Sequence, residues 1–219
     1  MRFRIALMAA FLAVVAIGYA QAQAVPAHDA PFQVRYAANL AAGESYINIV
    51  NTGANGAPLQ GPGFGTDRNV GNICVNVYTF APDEQLISCC SCLVTANQVV
   101  NLGVNRDLVS KTLTGVVPSS VTVKLLATYK GATAITSCSN SAADSSFVPV
   151  AAGMAAWGTT LHAQPGGGFA TTETPFIPAT LSETEKASIQ GRCAAIIGNG
   201  SGYGICASCR LGALGAVRR

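Results

Sequence analysis

The chain has 219 residues, half of them hydrophobic and only 11% charged, and 13 basic against 10 acidic residues leave a net charge of +3. An ordinary soluble protein carries roughly 25% charged residues. So small a positive balance gives no electrostatic basis for binding nucleic acid or an anionic membrane, while low charge weakens repulsion and favours close association with copies of itself or with a matrix. The same composition also follows from a β-rich exported protein.

Arg2 and Arg4 precede an apolar run from Ile5 to Ile17 and a small-residue stretch ending AlaGlnAla at Ala24, the plan of a secretory signal peptide over residues 1–24. The run is shorter than the roughly 20 residues a membrane helix needs, so no membrane span is expected in the mature chain. Loss of Arg2 and Arg4 lowers the net charge from +3 to +1. Residues 25–43 read as an amino-terminal tether in which His28 is solvated, and residues 44–219 as a single β-rich domain.

Ser45 to Asn51 alternates as a strand and runs into turn chemistry at Thr52 to Gly56. Gly53 to Gly71 is glycine-rich and aperiodic, hence a long loop, with Phe64 and Arg68 as possible ligand contacts. Ile73, Val75, Val77 and Thr79 then alternate with Cys74, Asn76, Tyr78 and Phe80, the period-two pattern of a strand. Ala81 to Glu84 supplies a turn, and the return strand Gln85 to Cys92 places Cys90 and Cys92 on one face and Cys89 on the other. Vicinal Cys89 and Cys90 are therefore expected to bond elsewhere than to each other.

Gln98 to Val104 is a further strand, and Asn105 to Leu113 reads as a short helix capped by Asn105 with Leu108, Val109 and Leu113 turned inward. In Ser120 to Tyr129, the clearest strand, Val121, Val123, Leu125, Ala127 and Tyr129 share a face. Gly131 to Ser146 is a polar excursion carrying Cys138. Ala151 to Gln164 holds the sole tryptophan, Trp157, with Thr159 and Leu161 continuing the strand, before a Pro/Gly break from Pro165 to Pro178. Ser182 and Glu185 form a capping box for an amphipathic helix over residues 182–197, whose apolar face carries Ile189, Cys193, Ile196 and Ile197. Gly198 marks its end, and a glycine-rich, cysteine-containing tail fills residues 198–219.

Eight cysteines behind a signal peptide imply disulfides in an oxidising compartment. Cysteine number and helix placement assign Cys193, Cys206 and Cys209 to Cys89, Cys90 and Cys92, leaving Cys74 for Cys138. A competing reading joins the CxxC pairs Cys89/Cys92 and Cys206/Cys209 as four zinc thiolates, or treats a pair as a redox centre. Nothing composes a catalytic site. His28 lies in the tether, His162 follows Trp157 on a strand, no GxSxG elbow occurs, and the acid pairs Asp83/Glu84 and Glu183/Glu185 sit in a turn and a first helical turn. The glycines at 198, 200, 202 and 204 follow a helix, where their amides do not form a phosphate loop.

The run INIVNTG, Ile47 to Gly53, resembles the first strand of bacterial immunoglobulin-like sandwiches. Together, INIVNTGANGAPLQGPGF, GNICVNVYTFAPDEQLISCCSC and GSGYGICASCRLG resemble a family of exported, cysteine-rich bacterial proteins with no assigned activity. The resemblance implies secretion and the cysteine pattern. The fold expected is mainly β, an immunoglobulin-like β-sandwich with one carboxy-terminal helix and a disulfide-stapled tail. The function expected is a secreted, non-catalytic structural or interaction module without a cofactor, partnered by itself or another cell-surface component. The alternatives are a metal-binding or thiol-redox protein and a carbohydrate-binding module that stacks sugars on Trp157, Tyr203 and Phe64.

Overall fold

The computed structural model describes residues 29–57, 71–129, 138, 149–206 and 209–211. Its elements in chain order are β1 (Phe32–Ala37), β2 (Tyr46–Asn51), β3 (Ile73–Phe80), β4 (Leu86–Val94), β5 (Val99–Gly103), β6 (Val121–Thr128), β7 (Met154–Ala163), β8 (Phe169–Pro175), β9 (Ile177–Pro178), α1 (Glu183–Gly198) and β10 (Arg210–Leu211). The strands form two five-stranded sheets, β4-β3-β6-β1-β9 and β10-β5-β2-β7-β8. Every strand pair is antiparallel.

The alternation that marks the strands also decides the layers. Ile73, Val75 and Val77 of β3 and Val121, Val123, Leu125 and Ala127 of β6 pack inward with Ile47, Ile49, Val100, Leu102, Met154 and Ala156 of the opposite sheet. This is the core of a β-sandwich. Part of the other face of the first sheet is also dry, because Phe32, Tyr78, Phe80, Leu86, Cys89 and Leu126 meet Ile189, Cys193 and Ile196 of α1. Burying an isoleucine contributes roughly 1.5–3 kcal/mol, so the two on α1 give the helix a substantial hold on the sheet. Ser182 Oγ accepts the Glu185 N–H at 3.1 Å, as the capping signature requires. The Glu185 carboxylate accepts from Lys124, whose Nζ also lies 4.7 Å from the centre of the Phe80 ring.

Several expectations need correction. The stretch read as a tether, 25–43, contains β1, which pairs with β6 and β9 inside the first sheet. Its pattern is inverted: Phe32 and Val34 face α1, while the polar Gln33 points between the sheets, where its Nε2 donates to Met154 O at 2.6 Å. The stretch Asn105 to Leu113 forms one π-helical turn, Val104–Leu108. Asn105 does not cap it, since its amide donates to Leu40 O and Gly43 O, both at 2.8 Å, and Leu113 is exposed although Leu108 and Val109 are buried. The break from Pro165 to Pro178 folds as a turn followed by β8 and β9.

Chain crossings close the sandwich on both sides. Phe176, only 2% exposed, sits between β8 of one sheet and β9 of the other and donates its N–H to Ala156 O. On the opposite side, Gly204 O accepts from Cys89 N and Cys206 N donates to Cys89 O, so the tail lies along β4 before it pairs with β5 as β10. Gly204 has a φ of +75°, and a Cβ there would approach Ile196 Cγ2 to 2.7 Å. Glycine is needed for both the backbone angle and the contact. The Gly204→Ala variant is accordingly expected to lose about 1–3 kcal/mol in urea unfolding, whereas Gly202→Ala, with open space at its Cβ but also a positive φ, pays only the backbone part of that cost.

Candidate functional site

The cysteine cluster on β4 is the densest concentration of reactive side chains in the sequence. Because neighbouring strand residues point to opposite faces, Cys89 looks toward α1, whereas Cys90 and Cys92 look into the sandwich. Cys89 bonds Cys193, Cys90 bonds Cys206 and Cys92 bonds Cys209, with Cα separations of 6.0, 5.5 and 5.5 Å. Cys74 bonds Cys138 at 5.8 Å. These are the assignments that number and placement predict, resolved to individual pairs, and all four separations suit a disulfide.

The pairing bears directly on the zinc and redox alternatives. Cys89 and Cys92, three apart on an extended strand, occupy opposite faces and cannot converge on one ion. Cys206 and Cys209 are bonded to different strand positions and not to each other. Each of the four sulfurs is oxidised in the structure, so none is a thiolate ligand. The described residues contain no group of three or more His, Cys, Asp or Glu side chains arranged to hold a metal.

The two described aromatic candidates, Trp157 and Tyr203, do not converge. Phe64 and Arg68 lie outside the described residues. Tyr203 is exposed in the turn before Gly204, beside α1 and β4. Trp157, half-buried, is on the outer face of the second sheet, in register with Asn48 and diagonal to Tyr46. Asn48 is in turn in register with Asn101, whose Nδ2 donates to Asn48 Oδ1 at 2.9 Å. His162 lies on β7 with no hydrogen-bond partner at Nε2 among the described residues. His28 lies outside them.

Two polar clusters were not legible as sites in the sequence. The π-helical turn is gripped from both sides: the Glu44 carboxylate accepts from the N–H groups of Asn105 and Arg106 at 2.7 and 3.0 Å, and fully buried Asp107 accepts from Gly103 N at 2.7 Å. Arg106 bonds Asp107 at 2.9 Å, which raises the Arg106 pKa. In the second cluster, Arg35 reaches across from β1 to donate to Thr174 O and Thr160 Oγ1 at 3.1 and 2.7 Å, filling the space that Gly158 leaves open. Burial lowers its pKa. Both clusters join separate chain segments, and neither places a nucleophile beside a base.

The largely apolar cleft of about 370 Å³ between the end of α1 and the β3–β4 turn is lined by Leu86, Leu113 and Ile196, with Arg192 its one charged side chain. It offers neither carboxylate nor imidazole for acid–base work. The polar clusters read as scaffolding, and the Asp107→Ala variant tests that. Removing the acceptor of Gly103 N leaves a buried donor unsatisfied, and thermal or urea unfolding should register a loss of about 1–3 kcal/mol. The chain matches no family model, no curated protein and no solved structure.

Proposed function

We propose that the chain is a secreted, non-catalytic structural or interaction module of the cell exterior. The observation that carries this reading is the complete use of the cysteines: all eight are in disulfides, and three of the four bonds tie the helix and tail to a single strand. Such a fold gains stability from oxidation and suits a compartment where thiols do not persist. The signal-like residues 1–24 and the resemblance to exported, cysteine-rich bacterial proteins agree with it. The charge-poor composition favours close contact with copies or with another surface component.

Fractionation of cells producing the protein is the test. The expected result is recovery outside the cytoplasm, with residues 1–24 removed and no thiol titrating after denaturation without reductant. Cytoplasmic protein with reactive thiols, or stoichiometric zinc after purification, overturns the reading.

A second reading, carbohydrate contact, is favoured by one observation: Trp157 and Tyr46 are diagonal neighbours on the sheet face that α1 does not cover. Aromatic faces stack on the apolar side of sugar rings. If this reading holds, Trp157→Ala abolishes retention on an immobilised polysaccharide while Tyr203→Ala, on the other side of the molecule, leaves it intact; equal retention of all three proteins discards it.

A further inference from the structure

Four strand edges bound the two sheets, and three of them are occupied or minimal. β4 is lined by the tail through the bridge between Cys89 and Ile205 and by three disulfides, β9 is a two-residue strand ending in Pro178, and the β5 edge is taken by β10. The fourth is β8, seven residues long and exposed along its whole length. Natural edges are blunted by lysine, internal proline, a bulge or a covering segment. β8, Phe-Ala-Thr-Thr-Glu-Thr-Pro, has no lysine, carries a single charge at Glu173, keeps its proline at the last position and pairs with β7 in unbroken register.

The backbone polarity of that edge follows from its two ends. Phe176 N donates to Ala156 O and Gln164 N to Gly168 O, so in the intervening ladder Ala170, Thr172 and Thr174 turn their backbone groups to β7. Phe169, Thr171 and Glu173 therefore turn theirs away. Pro175 falls in the same outward series, where it has no N–H to leave unpaired.

Resting on the reading of the chain as an interaction module, we propose that β8 is a self-association edge, pairing antiparallel with β8 of a second copy about a twofold axis at Thr171. This register sets Phe169 against Glu173 of the other copy on both sides and Thr171 against Thr171, so the outward N–H and C=O groups of these three residues all meet partners, about six hydrogen bonds at two per facing pair. A twofold at Glu173 would oppose two carboxylates and place Thr171 against Pro175, which has no donor. A twofold at Phe169 would leave Glu173 beyond the strand. The pairing fuses two second sheets into one continuous sheet, and a charge-poor surface opposes it little. The exposed Phe169, 53% accessible, gains a cross-strand neighbour.

Sedimentation of the mature, oxidised protein over a concentration series tests the proposal. The expected result is a monomer–dimer equilibrium that Thr171→Pro weakens at least tenfold, since proline deletes an outward N–H and no bond to β7, with circular dichroism and melting temperature nearly unchanged. Thr171→Lys, which sets two ammonium groups against each other at the axis, should do the same without altering the backbone. A wild-type protein that stays monomeric throughout, or variants that dimerise as well as wild type, overturns self-pairing through β8. An exported, thiol-free monomer would leave the proposed function standing and remove only this partner, whereas a cytoplasmic, thiol-bearing protein would remove the function reading whatever its oligomeric state.

Discussion

The alternation of side chains along β4 is the constraint on which the rest of the structure depends. With one cysteine turned toward α1 and two turned into the sandwich, a single strand anchors the helix on one side and the tail on the other. A slip of one residue would send every cysteine to the wrong layer, so strand register and disulfide pairing enforce each other. The bonds span sequence separations of 104, 116 and 117 residues. In the chain-entropy model each closure of that length is worth at most about 4–5 kcal/mol, less when closures share the same chain. The tail needs that help, because residues 199–204 bury only Gly204.

Low charge does not make this an apolar interior. Gln33, Asn48, Asn51, Asn76 and Asn101 are all 1% exposed or less. Asn51 shows how such groups are accommodated: its Nδ2 donates to Gly71 O at 2.7 Å and Val94 O at 3.0 Å, tying β2 to the end of β4 and to the turn before β3. Gln33 does the same between the sheets through Met154 O. Neutral amides carry both a donor and an acceptor, and they bridge strands without the desolvation cost of an ion. Among the described residues, these buried amides serve to join chain segments.

The two crossings at the sides of the sandwich give the molecule an asymmetric exterior. On one side the oxidised tail covers the β4 edge and continues onto the second sheet, and on the other Phe176 passes the chain from β8 to β9. The helix covers part of the outer face of the first sheet and leaves Tyr36 exposed. On the second sheet the accessible surface runs along all of β8 and the end of β7, with Trp157 half-buried, while Ile177, like Tyr36, stays exposed on the first.

The sequence by itself determined the strands whose apolar residues alternate, above all β3, β4 and β6, because period two is a local property of the chain. It likewise determined α1, through the Ser182 cap and the spacing of Ile189, Cys193 and Ile196, and it divided the cysteines correctly because face alternation and cluster size needed no knowledge of distant contacts. Tertiary structure alone decided the rest. β1 hides its nature because its polar residues point inward, where the carbonyl of Met154 on the opposite sheet is among the partners that make Gln33 acceptable. β8 hides because threonines exposed on both faces carry no hydrophobic period, and pairing with β7 is what makes them a strand. The expected helix at Asn105 gave way to a π-helical turn because Leu40, Gly43 and Glu44, some sixty residues earlier, claim its amide and backbone groups. Each of these outcomes depends on a hydrogen-bond partner remote in sequence, which no local pattern of residues encodes.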